Sequence, residues 1–207
     1  IETGFWKSHQ RTQYELGANP VILYAGRIGP GINTSLESMA QALDRANEQL
    51  GTSVQFVLQT KDQPAWISKY KCARHKPMVA YNELPRVFAE ADFLYLPYDF
   101  SEESIRFIKY SMPTKAPEYM VSGTPIIVFG PGETALVDDA VQNKWAVTVT
   151  ENNTKLLADA VASIIKDIEL RKQITGNAIR IAEASYDSVN VRNRFREVIS
   201  SMAKTTS

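Results

Sequence analysis

Two short stretches of the 207-residue sequence carry side chains suited to binding an anionic ligand. The first spans residues 26–31 (GRIGPG) and lies between an apolar run and a helical pattern. Glycines there let backbone N–H groups approach an anion, the helix N-terminus adds about half a positive charge, and Arg27 can hold a phosphate through two hydrogen bonds. The stretch matches neither the dinucleotide fingerprint nor the P-loop, so a tight turn with a surface arginine is the alternative.

The second stretch spans residues 111–125 (SMPTKAPEYMVSGTP) and precedes another apolar run. Lys115 and Glu118 are three residues apart, so a helix would place them on one face. Proline is favoured in the first turn of a helix, so Pro113 or Pro117 would place Lys115 and Glu118 near a helix start. A lysine there is unfavourable, because its positive charge opposes the helix dipole. An anionic ligand would account for that lysine, and Glu118 could accept hydrogen bonds from two vicinal hydroxyls, such as those of a ribose. An exposed helix start with an ion pair between the two side chains is the alternative.

Strands alternate with helices around these stretches. Apolar runs predict six strands, at residues 21–25, 54–58, 78–81, 93–96, 125–129 and 146–149. Apolar stripes at helical spacing predict helices at residues 33–50, 84–91, 113–121 and 134–142, and a weaker one at 63–72. Residues 98–112 are interpreted as a long polar loop, and the chain from Thr154 as helical with breaks near Gly176 and Tyr186.

This alternation predicts an α/β fold with a doubly wound, Rossmann-like parallel sheet of about six strands. Ligands of such sheets bind where loops leave the carboxyl ends of the strands. The candidate loops therefore follow Ala25, Val79, Leu96 and Phe129.

The pattern Ser-x-Pro-x-Lys-x-x-Glu-Tyr-Met-x-x-Gly-x-Pro over residues 111–125 resembles the donor-binding stretch of family 4 (group 1) glycosyltransferases of the GT-B fold. Residues 24–27 (YAGR) resemble their first strand and its arginine, and residues 84–97 their short helix and fourth strand. The similarity runs from about residue 20 to 185. It implies that residues 20–207 form the C-terminal, nucleotide-sugar-binding half of such an enzyme. Residues 1–19 would be a linker or arm, and an N-terminal acceptor domain would precede residue 1 in a longer protein.

The resemblance also implies roles for individual residues, with no metal ion and no cofactor. Arg27 would be a catalytic cation that neutralises the donor diphosphate, and Glu118 would hold the ribose. The family's second cation is a lysine soon after the arginine; it is missing here, so we infer that Lys115 supplies that charge as the second catalytic cation. The backbone near Tyr81 and Asn82 would contact the base. The diphosphate and sugar would be lined by Gly29, Gly31, Ser111 and Met112.

The implied reaction transfers a sugar, with retention of configuration, from a nucleoside diphosphate sugar to a polysaccharide or lipid-linked acceptor. Two departures from the family pattern stand against it. Tyr110 occupies the place of a glutamate that contacts the donor sugar in the family. Residues 28–36 also lack the lysine that many relatives carry a few residues after the arginine. The alternatives are a degenerate, non-catalytic module, a nucleotide-sugar epimerase of GT-B shape, and a flavodoxin-like or dinucleotide-binding domain.

The composition limits the binding partners and the cellular location that we expect for this protein. Lys plus Arg and Asp plus Glu both number 23, so the zero net charge argues against nucleic acid as a partner. Cys72 is the single cysteine and cannot form an intrachain disulfide. A single cysteine without a disulfide partner fits the reducing cytoplasm, which is the expected location. No apolar run is long enough to span a membrane, and no signal peptide opens the chain. In a longer protein, the inner face of a membrane is the alternative location.

Overall fold

The computed structural model describes residues 1–205, and its centre is a six-stranded parallel sheet. The strands are β1 (Val21–Ala25), β2 (Gln55–Gln59), β3 (Ala73–Lys76), β4 (Phe93–Pro97), β5 (Ile126–Phe129) and β6 (Val147–Val149). Their spatial order is β3-β2-β1-β4-β5-β6, and every neighbouring pair is parallel. This order confirms the predicted fold class, and its direction reverses between β1 and β4.

Helices cover both faces of the sheet. They are α1 (Thr3–Lys7), α2 (Asn33–Leu50), α3 (Leu84–Glu90), α4 (Glu102–Ile108), α5 (Lys115–Val121), α6 (Ala135–Asn143), α7 (Thr154–Lys166), α8 (Ile168–Ile181) and α9 (Ser188–Thr205). Short 3₁₀ turns lie at Ile67–Lys69 and Tyr81–Glu83, and a π-helical turn lies at Ala182–Tyr186. No helix within the described residues is both long and apolar enough to cross a membrane.

The apolar runs of the central strands follow from burial on both faces. In β1, Ile22 and Tyr24 point into the layer formed with α2 and α7, while Leu23 and Ala25 point into the layer formed with α3 and α5. Because successive side chains of a strand alternate between the faces, a central strand has no solvent-facing position for a polar residue. The runs at β4 and β5 have the same cause.

The N-terminal arm packs onto the second of these layers. Trp6 of α1 is only 1% exposed, and its ring stacks on Phe88 of α3 at 5.4 Å between centroids. Beyond α1, the Gln10 side-chain amide donates to the Val121 carbonyl and the Arg11 N–H donates to the Ser122 carbonyl, both at 2.8 Å. The arm therefore crosses the C-terminal end of α5.

The third strand lies earlier than predicted, at residues 73–76 instead of 78–81. It is an edge strand that carries exposed polar side chains, so a search for apolar runs misses it. Pro77 follows it directly and cannot donate a backbone hydrogen bond to the sheet. The predicted helix at residues 63–72 is reduced to one 3₁₀ turn, because the chain is already extended at Tyr70 and the Cys72 carbonyl accepts from Phe56 of β2.

Two further boundaries differ from the prediction. The polar connection at residues 98–112 contains α4, whose N-cap Ser101 accepts a hydrogen bond from the Ser104 N–H at 3.2 Å. Gly176 lies inside α8 and does not interrupt it. The helical segment breaks instead at Asp167, whose carboxylate caps α8 by accepting from the Leu170 N–H at 2.9 Å.

The crossing of the arm over α5 requires a glycine at position 123. Gly123 has φ +76°, and a Cβ there would collide with the Arg11 carbonyl oxygen and lie 2.9 Å from Cγ of Gln10. We expect Gly123→Ala to lower the free energy of unfolding by about 1–3 kcal/mol, measured by urea denaturation.

Gly176→Ala is the matched control for that measurement. Gly176 lies in mid-helix, and a Cβ added there would have no heavy atom of another element within 4 Å, so alanine should raise stability by about 0.5–1 kcal/mol. Equal effects of the two substitutions would contradict the requirement at position 123.

Candidate functional site

A cleft of about 460 Å³ opens at the carboxyl ends of β1 and β4. It lies where the strand order reverses, which is the usual ligand position in doubly wound sheets. Its walls come from the loop after β1, the end of β2, the segment between β3 and α3, the end of β4 and the first turn of α5.

The ammonium group of Lys115 lies at the floor of this cleft. Its Nζ donates to the Tyr24 hydroxyl at 3.0 Å and to the Ala25 carbonyl at 3.1 Å. It also lies 4.1 Å from the centre of the Tyr24 ring, in cation–π geometry. The ion pair with Glu118 that the spacing allowed is not formed, because the ammonium turns toward β1 instead.

Gly26 makes room for that ammonium. Its φ of +143° is rare for residues with a side chain, and a Cβ would overlap Nζ of Lys115 and lie 3.2 Å from its Cε. The sequence identified the glycine as a means of bringing backbone close to an anion. The structure adds that it brings backbone close to the lysine that an anion would meet.

Burial lowers the pKa of Lys115 to about 8, and the nearby Glu118 carboxylate opposes that change. The ordinary pKa of a lysine is about 10.4. The Lys115 amine therefore stays mostly protonated at neutral pH, but it loses its proton at a lower pH than an exposed lysine. An anion bound in the cleft would stabilise the charged form and raise the pKa again.

Glu118 lies on the same wall of the cleft, one helical turn after Lys115. Its carboxylate accepts a hydrogen bond from the Tyr81 hydroxyl at 3.3 Å. Burial raises the pKa of Glu118, while the Tyr81 hydroxyl and Lys115 act in the opposite direction. The carboxylate therefore faces the cleft with lone pairs left to accept from a ligand.

Arg27 lies at the rim of the cleft and is exposed. Its carbonyl accepts from the Tyr24 hydroxyl at 2.5 Å, whereas its guanidinium forms no hydrogen bond or ion pair within the described part of the chain. The arrangement therefore combines a fixed, buried cation at the floor with a free cation at the rim. Together they can meet a ligand that carries two negative charges.

The N-terminus of α2 is less available to an anion than the sequence indicates. The Asp99 carboxylate accepts from the Ser35 N–H at 2.7 Å and from the Thr34 N–H at 3.4 Å. A negative charge from the loop after β4 thus already caps the helix and offsets its dipole. Sequence reasoning missed this contact, because Asp99 lies in a polar stretch 64 residues away.

Only some of the other residues predicted for the site line the cleft. Gly29 lines it, as does Tyr81. Gly31, with φ +83°, lies in a neighbouring groove beside α4, while Asn82, Ser111 and Met112 fall outside the lining of the cleft. Tyr110, at the place of the expected glutamate, is 88% exposed.

Two tyrosines support the cleft without having been predicted. Tyr24 and Tyr119 are buried, and the Tyr119 hydroxyl accepts from the Ala25 N–H at 3.0 Å. Burial is the main cause of a raised pKa at both phenols, so both stay neutral. The sequence could have indicated the role of Tyr24, because a hydroxyl inside a buried apolar strand needs a buried hydrogen-bond partner.

Metal-binding side chains do not converge in the described structure: no group of three or more His, Cys, Asp or Glu could hold a metal ion there. Neither histidine lines the cleft. His9 contacts Ser8 in the arm, and the His75 ring lies 3.0 Å from the Thr60 carbonyl at the sheet edge.

A comparison with known families matches residues 19–167 to the family described as "Glycosyl transferases group 1". A curated relative, the alpha-D-kanosaminyltransferase of Streptomyces kanamyceticus, is 24% identical over 192 residues. That alignment covers 87% of this chain but 45% of the relative. The chain therefore spans about half the length of the curated relative that it matches.

Solved structures share the fold at low sequence identity. The C-terminal domain of the group 1 family protein LpcC from Francisella tularensis superposes with a TM-score of 0.65 at 15% identity, covering 91% of this chain and 99% of that one. Anabaena HepE, solved in complex with UDP and glucose, superposes with a TM-score of 0.60 at 18% identity, covering 89% of this chain and 49% of that one.

The buried ammonium predicts a pH-dependent stability. The pKa of Lys115 is about 8 when folded and about 10.4 when unfolded, so between these values the unfolded chain binds more protons. The unfolding free energy should therefore gain a term that begins to rise above about pH 7, rises most steeply near pH 9 by up to about 1.4 kcal/mol per unit, and is negligible at lower pH.

Urea denaturation at pH 7–9.5 checks this by comparison with Lys115→Met. Burial raises the pKa of Cys72, which gives a term of opposite sign that is common to all variants and cancels in the difference. Lys155→Met, at an exposed position of α7, should leave the pH profile unchanged. A parallel profile for Lys115→Met would contradict the prediction.

Proposed function

The chain belongs to the group 1 glycosyltransferases, and on that premise we propose that it is the nucleotide-sugar-binding domain of a longer glycosyltransferase. The observation that carries the proposal is the buried Lys115 ammonium at the floor of a cleft whose rim holds the Arg27 guanidinium, which has no ion-pair partner among residues 1–205. Two cations at one site are suited to a diphosphate.

In the proposed reaction, the bond between the anomeric carbon of the sugar and the diphosphate oxygen breaks. The electron pair stays on the diphosphate, and a hydroxyl oxygen of the acceptor bonds to the anomeric carbon while its proton passes to the leaving diphosphate. Negative charge thus accumulates on the leaving diphosphate, where Lys115 and Arg27 stabilise it. Lys115 is the more effective of the two because its hydrogen bonds to Tyr24 and Ala25 fix its position before the charge develops.

Glu118 is proposed to bind the ribose of the donor. Its carboxylate projects into the same cleft, and a carboxylate can accept from two vicinal hydroxyls at once. The Tyr81 segment is proposed to lie against the base, and Gly29 against the diphosphate. The complex of HepE with UDP and glucose supports a nucleoside diphosphate sugar as donor, because HepE shares this fold.

The acceptor is proposed to bind a second domain that precedes residue 1 in the longer protein. This agrees with relatives about twice the length of this chain. A polysaccharide or lipid-linked acceptor, retention of configuration at the anomeric carbon, and a cytoplasmic site are all part of the proposal.

An epimerase of the same shape is less well supported. That chemistry needs a histidine and carboxylates around the sugar, and the two histidines lie in the arm and at the sheet edge. Loss of donor binding in a degenerate module is the remaining alternative, suggested by Tyr110. Nucleotide binding separates it from the proposed function.

Calorimetric titration of this chain with UDP, GDP and ADP tests the proposal directly. We expect one of the three to bind, and Arg27→Ala to weaken that binding by about 10- to 100-fold, since a charge-assisted hydrogen bond contributes about 1.5–3 kcal/mol. Glu118→Ala should weaken it as well. Affinity should also fall as pH rises through 8, because Lys115 loses its charge there.

Arg45→Ala is the matched control for the loss of a guanidinium. Arg45 is exposed on α2, where it donates to Thr154 at 3.3 Å, and it does not line the cleft. Its affinity should equal that of the unsubstituted chain. Absence of binding by all three nucleotides at millimolar concentration would favour the degenerate module.

A further inference from the structure

The aromatic residues of α1 begin a row of ring contacts that ends at the cleft. The Phe5 ring stacks on Tyr81 at 5.6 Å between centroids with an interplanar angle of 5°, and Trp6 meets Tyr81 edge to face at 6.0 Å. Trp6 also stacks on Phe88, which meets Tyr119 edge to face at 4.8 Å. The row thus reaches the cleft at Tyr81 and Phe88, which both line it.

Tyr81 depends on α1 for its packing. It lies on a single 3₁₀ turn, and 59% of its surface is exposed. Both of its ring contacts within the described residues come from α1. Without them, the ring would be free to change rotamer on the surface.

Tyr81 in turn orients Glu118. Its hydroxyl is the group that donates to the Glu118 carboxylate, at 3.3 Å, and no other hydrogen bond to that carboxylate is present in the described structure. Because a glutamate has three rotatable bonds, one fixed donor removes much of its freedom before a ligand arrives. An oriented carboxylate binds hydroxyls with a smaller entropic cost.

The arm itself is firmly attached to the domain. Trp6 is buried, and the backbone beyond it is bonded to the end of α5 through Gln10 and Arg11. The Arg11 guanidinium also pairs with Asp92 at 3.0 Å, and both side chains are largely shielded from solvent. The α1 backbone and the Trp6 ring are therefore held in place independently of any ligand, and that backbone places Phe5 beside Tyr81.

We propose that Phe5 and Trp6 are positioning residues of the nucleotide site, acting through Tyr81 on Glu118. The inference rests on the proposed function, since it adds to that cleft a part supplied by the N-terminal arm. The arm lies outside residues 19–167, which match the family. The ligand contact that it governs is the one between the carboxylate and the ribose hydroxyls.

The experiment compares three probes by calorimetry: the nucleoside diphosphate that the unsubstituted chain binds best, its 2′-deoxy counterpart, and inorganic pyrophosphate. Phe5→Ala should weaken the ribonucleotide about fivefold, the usual effect of having to order one more side chain on binding, and lower the preference for ribose over 2′-deoxyribose. Pyrophosphate affinity should not change, because the cations that hold it are not altered.

Double substitution tests the route of the effect. Tyr81→Phe should reproduce the loss of ribose preference, and Phe5→Ala combined with Tyr81→Phe should be no weaker than Tyr81→Phe alone. Phe5→Leu retains an apolar side chain without the ring, so it keeps the test open if alanine impairs folding. Phe195→Ala, at an exposed phenylalanine of α9, is the control and should change none of the three affinities.

Three results would overturn the inference. An unchanged ribose preference in both Phe5 variants would show that α1 does not act on Glu118. Additive losses in the double variant would show that the effect bypasses Tyr81, and an equal loss of pyrophosphate binding would indicate general damage to the fold. Failure of the unsubstituted chain to bind any nucleotide would instead refute the proposed function, and this inference with it.

Discussion

The arrangement of residues around the cleft depends on the burial of one ammonium group, that of Lys115. An amine charge is costly to remove from water unless polar groups surround it. At Lys115 those groups are a tyrosine hydroxyl and a backbone carbonyl of β1, and they can approach only because Gly26 has no side chain. The same demand explains why Tyr24 stands in a strand that is otherwise aliphatic. The lowered pKa of Lys115 is the remaining cost, and a bound anion would remove it.

Helix α5 connects that ammonium to the rest of the fold. Its first turn holds the side chains that face the cleft, while Tyr119 points the other way and binds the Ala25 backbone. Strand β1 and α5 are thus joined at the floor of the cleft by side-chain-to-backbone hydrogen bonds in both directions, since Lys115 donates to Ala25 and Ala25 donates to Tyr119. Groups held on regular elements in this way keep their geometry without help from a ligand.

The central elements and the charged residues of the cleft were predictable, whereas the connections between them were not. Strands β1, β4 and β5 are buried on both faces and appear in the sequence as apolar runs, but β3 lies at the edge and does not. The spacing of Lys115 and Glu118 indicated a shared helix face. It could not indicate that Lys115 would bind residues 90 positions earlier, or that Asp99 would cap α2, because those contacts depend on how the strands are ordered in space.

The crossing of the arm over Gly123 bears on how such domains can be exchanged between proteins. A hybrid joined at residue 19, where the family match begins, would bring a foreign segment to a slot shaped by the Arg11 backbone. It would also leave Asp92 without its arginine partner and uncover Phe88, on which Trp6 stacks. The transplantable unit is therefore longer than the matched region, and a productive junction lies on the N-terminal side of α1.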